Sequence, residues 1–262
     1  MGPAGCGGGP APADKLGRPM RAILFDFGGT LDYPRHWLDR FMTHYRAAGI
    51  ILSREELERA FDSATRIAYH AGTSIRDYGL ARLVRYLVGL QLDDLRRSQS
   101  RDVRAALDSA ATGDIEALAD RISESFTRES IRGLEQSRAI LARLRPRFRI
   151  GVVSNFYGNL DRVLAEAGLD ESVDAIADSC RLGIFKPDPG IFEAALAGLY
   201  VAPPEAAMVG DSLSKDCLPA ARLGLTTVWL KHQEAGGTEP PAGKVDFTIS
   251  ALAELDDLKW PA

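Results

Sequence analysis

The stretch Ala22–Pro34, AILFDFGGTLDYP, places a single acidic side chain at the end of an apolar run. A short apolar run such as Ala22–Phe25 is typical of a strand buried in a parallel sheet. Asp26 follows the run, and Gly28 and Gly29 then allow a sharp turn beside its carboxylate. Because ligands of open parallel sheets bind at the carboxyl ends of the strands, this stretch predicts a functional aspartate at a sheet edge.

The composition is that of an ordinary soluble globular protein, with 45% hydrophobic and 26% charged residues among 262. The net charge of -4 gives no reason to expect nucleic acid or an anionic membrane as a partner. No apolar run approaches the roughly 20 residues that a membrane span needs. The three cysteines lack CxxC spacing, which argues against a disulfide framework or a thiolate zinc site and favours reduced thiols in a cytoplasmic protein.

The first segment, residues 1–19, is rich in glycine, proline and alanine and has no apolar core of the kind found in signal peptides. This composition predicts a disordered tail. Met20, directly after it, is an alternative start of the chain.

The rest of the chain divides into two patterns. Residues 35–133 show only helical periodicity, with a capping box at Ser53–Glu56 and a helix-capping position at Asp114. From about residue 135 onward, strand and helix patterns alternate, which predicts a parallel sheet covered on both faces. We therefore expect an α/β domain formed by residues 20–34 and 134–262, with the helical block 35–133 inserted into it.

Polar side chains follow three of the predicted strands at the same sheet edge. Asp26 ends the first strand, Ser154 and Asn155 follow the second, and Asp211 follows a later one. Taken singly, each of these residues is more commonly a cap or a turn residue. Taken together with Asp216, one helical turn after Asp211, and with Lys186, in a loop between these motifs, they converge on one edge. Three crowded carboxylates repel one another unless a cation lies among them, and hard oxygen ligands suit Mg²⁺.

Four motifs in this order carry a resemblance to a known family: DFGGTL (26–31), VVSN (152–155), KPDP (186–189) and GDSLSKD (210–216). They resemble the motifs of the haloacid dehalogenase (HAD) superfamily. The inserted helical block resembles the C1 cap of subfamily I. The resemblance covers nearly everything beyond residue 20 and implies a Rossmann-like core.

The resemblance implies a phosphatase that works through an aspartyl-phosphate and Mg²⁺. Asp26 matches the nucleophile, Lys186 the cation that neutralises it, and Ser154 the hydroxyl that holds a phosphoryl oxygen. The remaining implied roles are substrate binding by Asn155 and by the amides around Gly29 and Thr30, and metal binding by Asp26, the carbonyl of Gly28, Asp211 and Asp216.

One position departs from the family pattern. Most phosphatases of the family carry a second aspartate two residues after the nucleophile, where this chain has Gly28. That aspartate protonates the leaving group and activates water, and such groups contribute about 10²–10⁴-fold to the rate. Asp32 and His36 lie close along the chain and are candidates to replace it, although each is more commonly structural. Arg35, His36 and Trp37, at the entry to the cap, are candidate substrate contacts.

Three functions stay open at this stage. The first is a Mg²⁺-dependent phosphatase acting on a small phosphorylated metabolite, for example a sugar phosphate. The second, suggested by Gly28, is a regulatory protein that binds a phosphorylated ligand without turnover. The third is a 2-haloacid dehalogenase, which needs no metal and would have no reason to keep both acids of GDSLSKD. For each we expect a monomer or homodimer without a nucleic-acid or membrane partner.

Overall fold

The computed structural model describes residues 19–32, 35–111, 114–232 and 245–260. Its centre is a six-stranded parallel sheet in the order β3-β2-β1-β4-β5-β6. The strands are β1 (Ala22–Phe25), β2 (Arg149–Ser154), β3 (Ala175–Asp178), β4 (Ala206–Gly210), β5 (Thr226–Leu230) and β6 (Phe247–Ile249). All six were expected from their apolar runs, and the α/β fold class is confirmed.

The position of β1 in the middle of the sheet brings the polar strand ends together. Phe25 of β1 pairs with Val152 of β2 on one side and with Val209 of β4 on the other. The chain leaves β1 for β2 and β3 on one side, and later for β4, β5 and β6 on the other. Asp26 therefore lies at the point where the direction of the strand order reverses, which is where open α/β sheets bind ligands.

The helices cover both faces of the sheet. They are α1 (Trp37–Ala47), α2 (Arg54–His70), α3 (Leu80–Arg96), α4 (Arg101–Ala111), α5 (Ile115–Leu144), α6 (Leu160–Glu166), α7 (Ser179–Leu182), α8 (Pro189–Leu199) and α9 (Leu218–Leu223). Leu24 packs with α8 and α9 on one face. Ile23 and Phe25 face the other side, where the end of α5 and α6 cover them.

Helices α1–α5 form the inserted block, and their ends follow the sequence signals. The capping box at Ser53–Glu56 begins α2, and the side chain of Asp114 caps α5. Gly49, at a φ of 89°, follows α1. Apolar residues of these helices belong to the same buried cluster as Ile23 and Phe25, so the cap packs continuously onto the sheet domain.

The expected domain boundary at 133/134 falls within α5, which runs without a break from Ile115 to Leu144. One helix thus serves both the cap and the sheet, and the division into 35–133 and the flanking segments stays a prediction. The expected tail 1–19 lies outside the described residues except for Pro19. Within the described part of the chain, no helix has the length and apolar character to cross a membrane.

Candidate active site

Asp26 is buried at the end of β1, with only 6% of its surface exposed. Its backbone N–H donates to the carbonyl of Val209 in the neighbouring strand β4, which fixes the start of the loop. Ser154 Oγ donates to Asp26 Oδ1 over 2.9 Å, and Lys186 Nζ donates to the same oxygen over 2.7 Å. Neither donor uses Oδ2, so that oxygen keeps its lone pairs for another electrophile.

Lys186 joins two carboxylates inside the protein. Its Nζ also donates to Asp216 Oδ1 over 2.6 Å. Burial alone would lower the pKa of this lysine, but the negative charges of Asp216 and Asp26 outweigh burial and raise it. The group therefore stays an ammonium ion and presents a fixed positive charge beside Asp26.

Asp216 is fully buried, and Ser212 donates its backbone N–H to Oδ2 of this residue. Burial raises the pKa of Asp216 above its ordinary value; Lys186 opposes this shift, while the charges of Asp26 and Asp211 add to it. Three carboxylates thus face one ammonium group, an imbalance that a divalent cation corrects.

The residues fit such a cation. Carboxylate oxygens of Asp26, Asp211 and Asp216 all lie within 4.8 Å of one another. Two glycines make room for them: a Cβ on Gly29, which has a φ of 87°, would lie 2.5 Å from Asp211 Oδ2, and a Cβ on Gly210 would collide with the Asp216 carboxylate. Hard oxygen donors in a compact group are the ligands that Mg²⁺ prefers.

A cavity of about 320 Å³ opens beside Asp26 between the cap and the sheet. Its wall includes most of the residues predicted for the site, namely Asp26, Gly28, His36, Ser154, Asn155, Lys186, Asp211 and Asp216. Trp37 also lines it. The described residues that line this wall do not include Gly29, Thr30 or Arg35.

Two of the predicted substrate contacts have other partners. The Gly29 N–H donates to Asp32 Oδ1 over 2.9 Å and is therefore not directed at a phosphate, contrary to the expectation. The Asn155 amide binds the main chain of Lys186 in both directions, accepting from its N–H over 2.7 Å and donating to its carbonyl over 3.0 Å. Asn155 thus holds the lysine loop in place.

Asp32 does not serve as the missing acid, because it is fully buried and holds several donors. Its Oδ2 accepts from Trp37 Nε1 over 2.7 Å and from Arg40 Nη1 over 2.5 Å. Burial raises the pKa of Asp32, and these donors oppose the shift. His36 caps α1, since its Nδ1 accepts from the N–H of Leu38 over 3.3 Å.

Comparison with known proteins agrees with this geometry. A family model described as haloacid dehalogenase-like hydrolase matches residues 20–224. The chain belongs to the haloacid dehalogenase-like hydrolases. A phosphoserine phosphatase of Thermus thermophilus is 34% identical over 163 residues, which are 60% of this chain and 63% of that protein. Haloacid dehalogenase-like hydrolase domain-containing protein 3 of Mus musculus is 30% identical over 79% of this chain and 80% of its own.

The fold of the HAD hydrolases is also found by structural comparison. A dehalogenase crystallised as an intermediate complex superposes with a TM-score of 0.58 over 92% of this chain and 97% of its own, at 22% identity. That likeness concerns the fold alone. The alignment to the Thermus thermophilus enzyme spans less than two thirds of that protein.

Several residues of this HAD site were not predicted from the sequence. Tyr69, Tyr157 and Phe185 line the cavity, and Trp229 Nε1 donates to the carbonyl of Asp211 over 2.9 Å. His232 Nε2 lies 3.5 Å from Asp211 Oδ2. The strand-end rule that identified Asp211 could have identified His232, which follows β5 at the same sheet edge. No local signal marks the aromatic side chains, because they meet only when α2 packs on the sheet domain.

Proposed function

We propose that this protein is a Mg²⁺-dependent phosphatase that hydrolyses a small phosphorylated metabolite through an aspartyl-phosphate on Asp26. One observation carries the proposal: Lys186 and Ser154 both bind Oδ1 of Asp26, while Asp211 and Asp216 bring their carboxylates within 4.8 Å of the same side chain. A fixed ammonium and a hydroxyl beside a buried carboxylate are suited to a phosphoryl group, whose oxygens carry the charge that they offset.

Asp26, Asp211 and Asp216, together with the carbonyl of Gly28, are the groups that would hold the metal ion. When bound, the ion offsets the negative charge of the phosphoryl oxygens and of the surrounding carboxylates. The chain itself supplies the nucleophile and its orientation. Ser154 and Lys186 hold Asp26 in one position, and Asn155 holds the main chain of Lys186.

The reaction divides one difficult displacement into two. An oxygen of Asp26 attacks phosphorus, the bond from phosphorus to the leaving oxygen breaks, and its electron pair departs with that oxygen. A water oxygen then attacks phosphorus, the bond from phosphorus to Asp26 breaks, and the carboxylate is restored. The proton that the water loses passes to solvent, and the departed oxygen takes one from solvent. The ammonium of Lys186 binds Oδ1 of Asp26, next to the oxygen that is left free to react.

The test is phosphate release from a panel of sugar phosphates and acyl phosphates, measured with Mg²⁺ and with EDTA. We expect release that depends on Mg²⁺ and is abolished in Asp26→Asn. If no member of the panel releases phosphate, the proposal is wrong. Chloride release from 2-haloacids in EDTA would instead support the dehalogenase hypothesis.

A second candidate is a protein that binds a phosphorylated ligand without turnover, and Gly28 favours it. The variant Gly28→Asp distinguishes the two candidates. Its new Cβ would lie 3.3 Å from Trp37 Nε1, so the indole must move by a few tenths of an ångström. Turnover by Gly28→Asp, with only binding by the parent protein, would favour the second candidate; turnover by the parent favours the phosphatase.

A further inference from the structure

The space beside Gly28 is occupied by an indole. A Cβ on Gly28 would meet Trp37 Nε1 at 3.3 Å and Cδ1 at 3.5 Å. The indole is anchored from several sides, since Nε1 donates to Asp32 and the ring makes edge contacts with Phe126 and Phe156 at centroid distances of 5.2 and 6.2 Å. An indole from the cap therefore lies directly against the point where a side chain at residue 28 would begin.

The next carboxylate along the chain after Gly28, that of Asp32, is held by other hydrogen bonds. Asp32 is fully buried, accepts hydrogen bonds from Gly29, Trp37 and Arg40, and is not part of the cavity wall. Moving it toward the cavity would strip these donors of their partner and leave the buried charge of Arg40 without its closest carboxylate. Neither residue 28 nor Asp32 is therefore in a position to protonate a leaving oxygen.

The cavity wall beyond the charged groups is aromatic. Its rings belong to Trp37, Phe61, Tyr69, Phe156, Tyr157 and Phe185. The rings contact one another: the centroid of Tyr69 lies 5.1 Å from that of Tyr157 and 5.0 Å from that of Phe185. Phe185 precedes Lys186 and is still 36% exposed, so the protein leaves part of this apolar wall uncovered beside its phosphoryl-binding lysine.

We infer that the substrate is an aryl phosphate, a phosphate monoester of a phenol whose ring lies against this aromatic wall. The inference rests on the proposed phosphatase function and narrows its substrate class. Two separate observations together lead to it. An aromatic wall in a cavity of about 320 Å³ favours a planar ring. A site without an acid beside residue 28 favours a leaving oxygen that departs as an anion.

The two classes of ester differ strongly in the pKa of the leaving group. A phenol has a pKa of about 10, whereas an alcohol resembles water, whose pKa is about 15.7. In the first displacement an oxygen of Asp26 bonds to phosphorus, the bond from phosphorus to the aryl oxygen breaks, and the electron pair leaves with the phenoxide. The phenoxide then takes its proton from solvent. An alkoxide needs that proton during bond breaking, and this site has no side chain at residue 28 to supply it.

The experiment compares kcat/KM for four phosphates in the presence of Mg²⁺. Phenyl phosphate has a ring and an acidic leaving group, benzyl phosphate has a ring and an alcohol, acetyl phosphate has an acidic leaving group without a ring, and ethyl phosphate has neither. We expect phenyl phosphate to exceed acetyl phosphate and to exceed benzyl phosphate by at least about 10²-fold, the usual contribution of a positioned acid.

Variants then test the ring site. Tyr69→Leu and Phe185→Leu should raise KM for phenyl phosphate by about two- to tenfold, and by more than they raise KM for acetyl phosphate. Tyr86→Leu is the matched control, because Tyr86 is a half-buried cap tyrosine that packs on Tyr78 outside this cavity. It should leave both substrates unchanged.

The inference is wrong if benzyl or ethyl phosphate is cleaved within tenfold of phenyl phosphate, since a protein group such as His36 would then be protonating the alcohol. It is also wrong if the Tyr69 and Phe185 variants alter acetyl phosphate as much as phenyl phosphate. If none of the four esters and no member of the sugar and acyl phosphate panel releases phosphate, the proposed function itself fails.

Discussion

Asp26 and Asp32 are two buried carboxylates on the same loop after β1, and each contacts a buried cation. Asp26 binds Lys186, and Asp32 binds Arg40. In sequence they look alike, since each follows an apolar residue and precedes a turn. In the structure Asp26 lies on the wall of the cavity, whereas Asp32 is fully buried and is not part of that wall.

The two differ in how their charge is balanced. Asp32 shares Arg40 with Glu129, whose carboxylate also contacts His44, and it accepts further hydrogen bonds from Gly29 and Trp37. Asp26 shares its lysine with Asp216 and has Asp211 nearby, so carboxylates outnumber ammonium groups. Burial and ion pairing are therefore common to both, and excess negative charge beside a cavity is what distinguishes the proposed nucleophile, Asp26, from Asp32.

The largest expected effect is the loss of activity in Asp26→Asn. An amide is a poor nucleophile toward phosphorus, so phosphate release in Mg²⁺ should fall by at least about 10³-fold. The midpoint of thermal unfolding should not fall, because the substitution removes one of several crowded carboxylates. Retention of a tenth or more of the activity would remove the distinction between the two aspartates.

Asp32→Ala should instead reduce stability. It leaves the buried guanidinium of Arg40 without its closest partner, and breaking a buried pair from one side costs about 3–5 kcal/mol in the free energy of unfolding. Urea denaturation measures this loss. The matched control is Asp39→Ala on α1, which breaks a partly exposed pair with Arg54 and should cost less than about 1 kcal/mol. Equal losses in the two variants would contradict the account of Asp32.

Mg²⁺ should stabilise the Asp26 region through the unbalanced carboxylates. A ligand that binds only the folded state adds about 2.7 kcal/mol when its concentration is 100-fold above Kd. We expect the unfolding midpoint to rise with added MgCl₂, and the rise to disappear in Asp211→Asn. NaCl at equal ionic strength controls for screening. A rise that persists in Asp211→Asn would place the ion elsewhere.

The smallest expected effect concerns Glu129, the second carboxylate on Arg40. Burial raises the pKa of Glu129, but hydrogen bonds from His44 and Arg40 outweigh burial and bring the pKa to about 2, below its ordinary 4.5. A lowered pKa stabilises the folded state above the ordinary value, and this contribution is lost as the pH falls from 4.5 toward about 2.

Comparison of the wild-type protein with Glu129→Gln measures this contribution. Because the carboxylate is partly exposed, the advantage of the wild-type protein at neutral pH should be about 1 kcal/mol. The advantage should shrink steadily as the pH falls through this window. An advantage that stays constant down to about pH 2 would show that the charge of Glu129 is not its source.

The sheet and the charged half of the site followed from the sequence for a physical reason. Apolar runs identify buried parallel strands, and the polar residues that follow them share one edge, so Asp26, Ser154 and Asp211 were expected together. Lys186 lies in a loop away from any strand end, and its role came from the resemblance of KPDP to a family motif. The structure places its Nζ between Asp26 and Asp216.

The structural aspartate and the aromatic wall could not be predicted in the same way. Arg40 is recognisable as a partner of Asp32 only when α1 folds back over the loop and Phe126 of α5 packs on the guanidinium at 4.0 Å. Tyr69 and Phe185 meet across the contact between α2 and the sheet domain. Local periodicity identifies which face of a helix is buried, but it does not identify what that face packs against.

The most direct test of the central claim is to trap the covalent intermediate. The protein is mixed with acetyl phosphate and Mg²⁺, quenched in acid after brief reaction, digested, and analysed by peptide mass spectrometry. The account predicts one added phosphoryl group on the peptide that contains Asp26, absent from the same peptide of Asp26→Asn and from the untreated protein. Phosphate release without any phosphoryl group on Asp26, or undiminished release by Asp26→Asn, would contradict it.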